Sequence, residues 1–168
     1  DLSSIKIITS TGSPLAEESF KYVYENIKQD VHLASIAGGT DLVGCLVLGN
    51  LYSNVYKGEI QGQSLGIDVD VFTNNGKSTK DGDKGELVVK KPFPSMPVKF
   101  WGDNDGQKYH KAYFTRFENI WHHGDFIERT SNNGFIMRGR SDSTLNPGGV
   151  RIGTSEIYQQ VEDIDFIT

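Results

Sequence analysis

The sequence has a single cysteine in 168 residues. Cys45 has no partner within the chain, so no internal disulfide forms, and a reducing, cytoplasmic setting is expected. A basic excess is also missing. The net charge is −5, which argues against a broad nucleic-acid footprint. No apolar run has membrane length and no basic stretch leads into a signal-peptide core, so neither a membrane partner nor an export segment is expected. Metal-ligand spacing is missing too. His122 and His123 are adjacent, point in different directions and have no spaced partner, so a structural or surface role is expected for both. There is no Gly-x-Ser-x-Gly elbow. Cys45 lies in the apolar "LVGCLVL" and reads as buried filler. An initial methionine is absent as well: Asp1 opens almost directly into "IKIIT", and "DIDFIT" closes just after a helix has begun. A piece of a larger polypeptide is expected.

What is present supports a folded chain. Hydrophobic residues make up 36% and aromatics 11%, enough for one domain or two small lobes with a core. "IKIITS" reads as a short strand. "TGSP" follows, with Ser13 as N-cap and Pro14 at the first helical position. Phe20, Val23, Tyr24 and Ile27 form one helix face, and Asp30 ends the helix. "VHLASI" is a second strand, broken by "AGGTD"; this βαβ unit implies a parallel pair.

Past residue 50 short strands alternate with turns. Ile67, Val69 and Val71 alternate as in a half-buried strand. "NNG" and "DGDKG" are turn chemistry around the strand "GELVVKK". "PFPSMP" is an extended loop. "DFIERT", "SNNG" and "FIMRGR" make a hairpin. "GTSEIYQQVEDI" starts a helix with Thr154 as N-cap, Glu156 in its first turn and an apolar stripe of Ile157, Val161 and Ile164. The fold class is mixed α/β. Residues 1–50 form a βαβ piece, 51–141 a β-rich, distorted barrel-like subdomain, and 142–168 the start of a small α+β lobe.

Three glycine-bearing turns follow strands: "STGSP", "AGGTD" and "WHHGD". Backbone N–H groups at strand ends can hold phosphate or adenine edges. Each alone is also what a plain connection looks like. Their order is more specific. "GGTD", "GELVVKKP", "HHGDF" and "GRSDSTLNPGGVRIGTSEI" follow one another as do the core motifs of the adenylate-forming superfamily of acyl-CoA synthetases, luciferases and peptide-synthetase adenylation domains. Those motifs read Tyr-Gly-x-Thr-Glu, Gly-Glu-Leu, Thr-Gly-Asp, and Gly-Arg-x-Asp-x-x-x-Lys-x-x-Gly-x-Arg-Ile-x-x-x-Glu-Ile. The chain resembles this superfamily over nearly its whole length.

The resemblance implies an ATP-dependent acid–CoA ligase that uses Mg²⁺ and takes coenzyme A as its second substrate. The acid implied is acetoacetate. Asp125 matches the aspartate that accepts hydrogen bonds from the ribose hydroxyls. Arg140 matches an arginine on ribose and phosphate, and Arg151 a second one that reaches the phosphates in the adenylating conformation. Gly12, Ser13 and Pro14 match the loop beside adenine. Gly38, Gly39 and Thr40 flank the adenylate. Asp41 stands where the superfamily has a glutamate that binds Mg²⁺. Asp142 aligns with the hinge about which the small domain turns, and Gly148 falls where coenzyme A approaches.

Acetyl-selective relatives carry tryptophans where Ala37 and Gly38 stand here, so Gly38→Trp is expected to shift preference toward acetate. The phosphate loop lies upstream of this chain and the catalytic lysine downstream, so the chain alone is not expected to catalyse. "LNPGGV" also lacks a lysine that many relatives carry after the hinge. Two alternatives stand beside this reading: a ligase for another short or keto acid, and a non-catalytic β-rich binding module. Subunit number is not legible.

Overall fold

A computed structural model describes residues 1–145, 147, 150–161 and 164. Gly148 and Gly149 lie outside the described residues.

Strands β1 (Ile7–Ser10) and β2 (His32–Ser35) pair in parallel, as the βαβ pattern predicts. The helix between them differs from expectation. α1 spans Glu17–Tyr22, after an extended Ala16, so Ser13 is not its N-cap and Pro14 is not its first residue. The acidic pair Glu17 and Glu18 supplies the first turn, where free N–H groups favour negative charge. Val23–Ile27 then widens into a π-helical turn that ends before Asp30, with the Lys28 N–H donating to the Val23 carbonyl at 2.9 Å. The wider turn breaks the 3.6-residue period. Phe20 is therefore buried while Ile27 is exposed.

"AGGTD" is not a strand-end turn. β3 (Ala37–Gly39) runs through both glycines and pairs antiparallel with β4 (Gly44–Leu48), which pairs with β5 (Gly62–Gln63). A Cβ at Gly38 would lie 2.0 Å from the Gly44 carbonyl oxygen and 2.5 Å from the Cys45 Cα. Only glycine lets the two backbones approach so closely. The turn itself is Thr40–Val43. Cys45, on β4, is half-buried rather than buried.

The third sheet is an open antiparallel meander of β6 (Val69–Phe72), β7 (Lys84–Val89), β8 (Trp121–Arg129) and β9 (Phe135–Arg140). It does not close, so the barrel-like expectation is corrected to an open sheet. All four residues of β6 are buried, so the expected half-buried alternation is absent. Asp70 tolerates this position because Arg129 Nη2 and Ser78 Oγ donate to it at 2.6 Å each. Leu46, Val47, Val71, Leu87 and Ile127 fill the main core, each contributing roughly 1.5–3 kcal/mol by burial. α2 (Gln107–Tyr113) covers β8, with the Tyr113 ring stacked 3.7 Å from that of Trp121.

The hairpin at "SNNG" forms as predicted, with Asn133 at φ 61°. "WHHGD", however, lies inside β8. Register passes from Glu86↔Phe126 to Val88↔His122, so three residues of β8 oppose one of β7. This bulge carries His123, Gly124 (φ 85°) and Asp125. α3 (Thr154–Val161) begins at Thr154 itself, and the Glu156 carboxylate accepts the preceding Gly153 N–H at 2.8 Å. Ile157 is exposed rather than part of a buried stripe. Among the described residues no helix is long and apolar enough to cross a membrane.

Candidate functional site

The β8 bulge aims its side chains toward the first two sheets. Asp125 faces Arg140 across the β8–β9 ladder, and Arg140 Nη1 donates to Asp125 Oδ1 at 3.3 Å. That is long for a charge-assisted bond. The carboxylate is buried while the Arg140 side chain is 55% exposed. Burial pushes the Asp125 carboxyl above the ordinary carboxylate range, and the charge of Arg140 opposes this only in part. Arg140 also donates to the His123 carbonyl at 3.3 Å. A Cβ on Gly124 would sit 2.8 Å from Arg140 Nη2, so the glycine leaves room for the guanidinium.

A structural or surface role was expected for His123, and the structural one is what the geometry gives. The Trp121 indole N–H can only donate, so His123 Nδ1 accepts from it at 3.3 Å. The proton therefore sits on Nε2, which donates to the Gly38 carbonyl at 3.2 Å. Burial lowers the His123 pKa, in keeping with a neutral ring. The imidazole ties β8 to β3 and holds Gly38 beside Asp125.

Two clefts meet here. The first, about 250 Å³, is lined by Gly12, Ser13, Pro14, Gly38, Asp125 and Arg140, among others. The second, about 520 Å³, is lined by Gly38, Gly39, Thr40, Asp41, Arg140 and Asp142, with Tyr113 and Arg116 on its far wall. Gly38 and Arg140 belong to both. Three sheets thus bring together ten of the residues singled out by sequence. Ser13 and Pro14 serve as cleft wall rather than helix start. Asp41 is exposed and accepts a hydrogen bond from the Tyr113 hydroxyl. Burial, with help from Asp41, raises the Tyr113 pKa, so the phenol keeps its proton.

Arg151 lies outside both clefts. Its Nη1 is 2.5 Å from Glu86 Oε1, its Nη2 donates to the Ser141 carbonyl at 3.0 Å, and its guanidinium stacks 4.2 Å over Phe126. Glu86 is fully buried and was not singled out by sequence. It also accepts from Ser141 Oγ, meets His122 Nε2 at 2.9 Å and lies 3.1 Å from Arg116 Nη2. Burial drives its carboxyl up, but the bonds from His122, Ser141 and Arg151 outweigh it and hold the pKa at about 2. The available signal was a glutamate inside "GELVV": a carboxylate in so apolar a strand needs cations around it. His122 is accordingly structural.

Gly38 has a different cause from the one expected. It stays small because β4 lies against it, so Gly38→Trp would displace a strand before it filled an acyl pocket.

No protein-family model matches the chain. An acetoacetyl-coenzyme A synthetase of Rhizobium meliloti (strain 1021) is 62% identical over 99% of this chain and 26% of its own length. An acetoacetyl-CoA synthetase of Gallus gallus is 47% identical over 100% of this chain and 25% of its own. Among solved structures, an acetoacetyl-CoA synthetase from Streptomyces lividans matches with a TM-score of 0.86 and 40% identity, covering 96% of this chain and 25% of that one. An anthranilate CoA ligase in complex with anthranoyl-AMP shares the fold, with a TM-score of 0.78 at 17% identity over 98% of this chain and 30% of its own. The chain spans about a quarter of the length of the curated relatives it matches. Along nearly its entire length the chain is similar to one stretch of the acetoacetyl-CoA synthetases.

Proposed function

We propose that the chain supplies the nucleotide-binding face of an ATP-dependent acid–CoA ligase acting on acetoacetate in the cytoplasm. One observation carries this reading: a buried carboxylate, Asp125, opens on a cleft beside an exposed guanidinium, and its Oδ2, 3.6 Å from His123 Nε2, accepts no hydrogen bond within 3.5 Å among the described residues. Such an oxygen suits vicinal hydroxyl donors. In the reaction the acid carboxylate attacks the α-phosphorus and pyrophosphate leaves. The coenzyme A thiol then displaces AMP from the acyl-adenylate.

Asp125 takes the ribose hydroxyls. Arg140, shared by both clefts, spans ribose and α-phosphate. Gly12, Ser13 and Pro14 wall the adenine in the first cleft. Gly38, Gly39 and Thr40 border the phosphates in the second, with Thr40 as a hydroxyl donor. Arg151, held on Glu86, is the cation that a turn about Asp142 would release toward the phosphates. Gly148 would meet coenzyme A. The division into a nucleotide-binding piece, a β-rich piece and a small lobe beyond Asp142 belongs to the same proposal.

Asp41 fits Mg²⁺. Its carboxylate is exposed at the second cleft with one oxygen free of Tyr113, and Mg²⁺ is commonly held by one or two carboxylates together with substrate phosphates. Bound there, the ion would neutralise phosphate charge. Asp41 and Thr40 orient the phosphates, and the Tyr113 hydroxyl fixes the Asp41 rotamer.

The test is acetoacetate-dependent exchange of labelled pyrophosphate into ATP by the complete polypeptide, followed by thioester formation with coenzyme A. Both are expected, with acetoacetate preferred over acetate and butyrate, and the isolated chain should show neither. Exchange driven equally by another short acid would replace the substrate. Absence of nucleotide binding by the complete polypeptide would leave the β-rich binding module as the reading.

A further inference from the structure

The second cleft holds a cation that the roles above leave unused. Arg116 follows the C-terminal end of α2 and lines this cleft with Thr40, Asp41 and Arg140. Its side chain is 38% exposed. Among the described residues only Nη2 is engaged, at 3.1 Å from Glu86 Oε1 and 3.0 Å from Asn74 Oδ1. The N–H groups on Nε and Nη1 remain available.

Glu86 does not neutralise this cation. One carboxylate serves two guanidinium groups, and Arg151 is the nearer at 2.5 Å. His122 and Ser141 occupy its remaining acceptor positions. The Glu86 cluster therefore carries more guanidinium charge than carboxylate charge. Asn74 and Glu86 hold Nη2, so the guanidinium is fixed in place before any ligand arrives. A guanidinium held this way still offers single charge-assisted donors, from Nε or Nη1, to a phosphate oxygen.

We propose that Arg116 is a further binding residue of the adenylating reaction, gripping the β,γ-diphosphate of ATP and the pyrophosphate as it leaves. The inference rests on the ligase reading above. Charge builds on the departing pyrophosphate, and a fixed donor at that end stabilises it without reorganisation. Coenzyme A also carries a diphosphate. The company of Thr40, Asp41 and Arg140 favours the ATP tail.

Arg116→Gln and Arg116→Lys in the complete polypeptide decide the matter. Arg116→Gln should raise the pyrophosphate inhibition constant and the KM for ATP on the order of tenfold, the worth of one charge-assisted contact. The KM values for acetoacetate and coenzyme A should stay unchanged, and Arg116→Lys should recover most of the loss. A rise shared by all substrates together with a lower melting temperature would mean that Arg116 acts only through Glu86, and the proposal fails. A rise confined to coenzyme A, or no change at all, overturns it equally. Unaltered polypeptide that shows no acetoacetate-dependent exchange overturns the ligase reading itself, before any variant is made.

Discussion

Two buried carboxylates sit almost side by side in one sheet, Glu86 on β7 and Asp125 on β8, and their surroundings differ in kind. Glu86 is ringed by Arg151, Arg116, His122 and Ser141, with contacts as short as 2.5 Å to Arg151. Its pKa is held at about 2. Asp125 has one long bond to a half-exposed arginine, and burial pushes its carboxyl upward. The first is over-supplied with donors and locks β7 to β8, β9 and the Arg151 segment. The second is under-supplied and faces a cleft. A carboxylate that the fold leaves short of donors is one that a ligand can complete.

The largest test of this contrast is Glu86→Leu. It strands two guanidinium groups and an imidazole, and stability should fall by about 3–5 kcal/mol, read by denaturant unfolding of the complete polypeptide. A loss below about 1 kcal/mol would erase the contrast. Acid tests the same group. Its depressed pKa contributes stability that is fully present above the ordinary value of 4.5 and disappears as pH falls toward 2. A loss on the order of 3 kcal/mol is expected over that window, and Glu86→Gln should flatten it.

Asp125→Ala should do the opposite. Its raised pKa means that the fold gains nothing from the ionised form at neutral pH, so stability should hold within about 1 kcal/mol. Meanwhile kcat/KM for ATP should fall about 100-fold, or about 2.7 kcal/mol. Steady-state kinetics beside thermal unfolding separates the two effects. The smallest change expected is Gly124→Ala. The residue sits at φ 85°, so strain of about 1–2 kcal/mol follows, and the new methyl would press on Arg140. Weaker ATP binding with a modest drop in melting temperature should accompany it.

Much of the fold was legible. The parallel β1–β2 pair, the "SNNG" hairpin and the "GELVV" strand follow from local periodicity and turn chemistry. What misled was glycine. "AGGTD" and "WHHGD" look like turns because glycine ends many strands. Here Gly38 permits close approach of β4, and Gly124 forms a bulge inside β8. Both uses depend on a neighbouring strand that no local window contains. The site followed the same division. Asp125 and Arg140 stood out through the family resemblance, whereas Glu86, His123, Tyr113 and Arg116 acquire roles only through partners 30 to 85 positions away.

The order of residues alone determined which groups are present and where strands and turns tend to form, and its resemblance to a known family singled out Asp125 and Arg140. Tertiary structure alone decided which carboxylate is satisfied and which is left open. The reason is that hydrogen bonds and desolvation act over a few ångströms of space, whatever the separation along the chain.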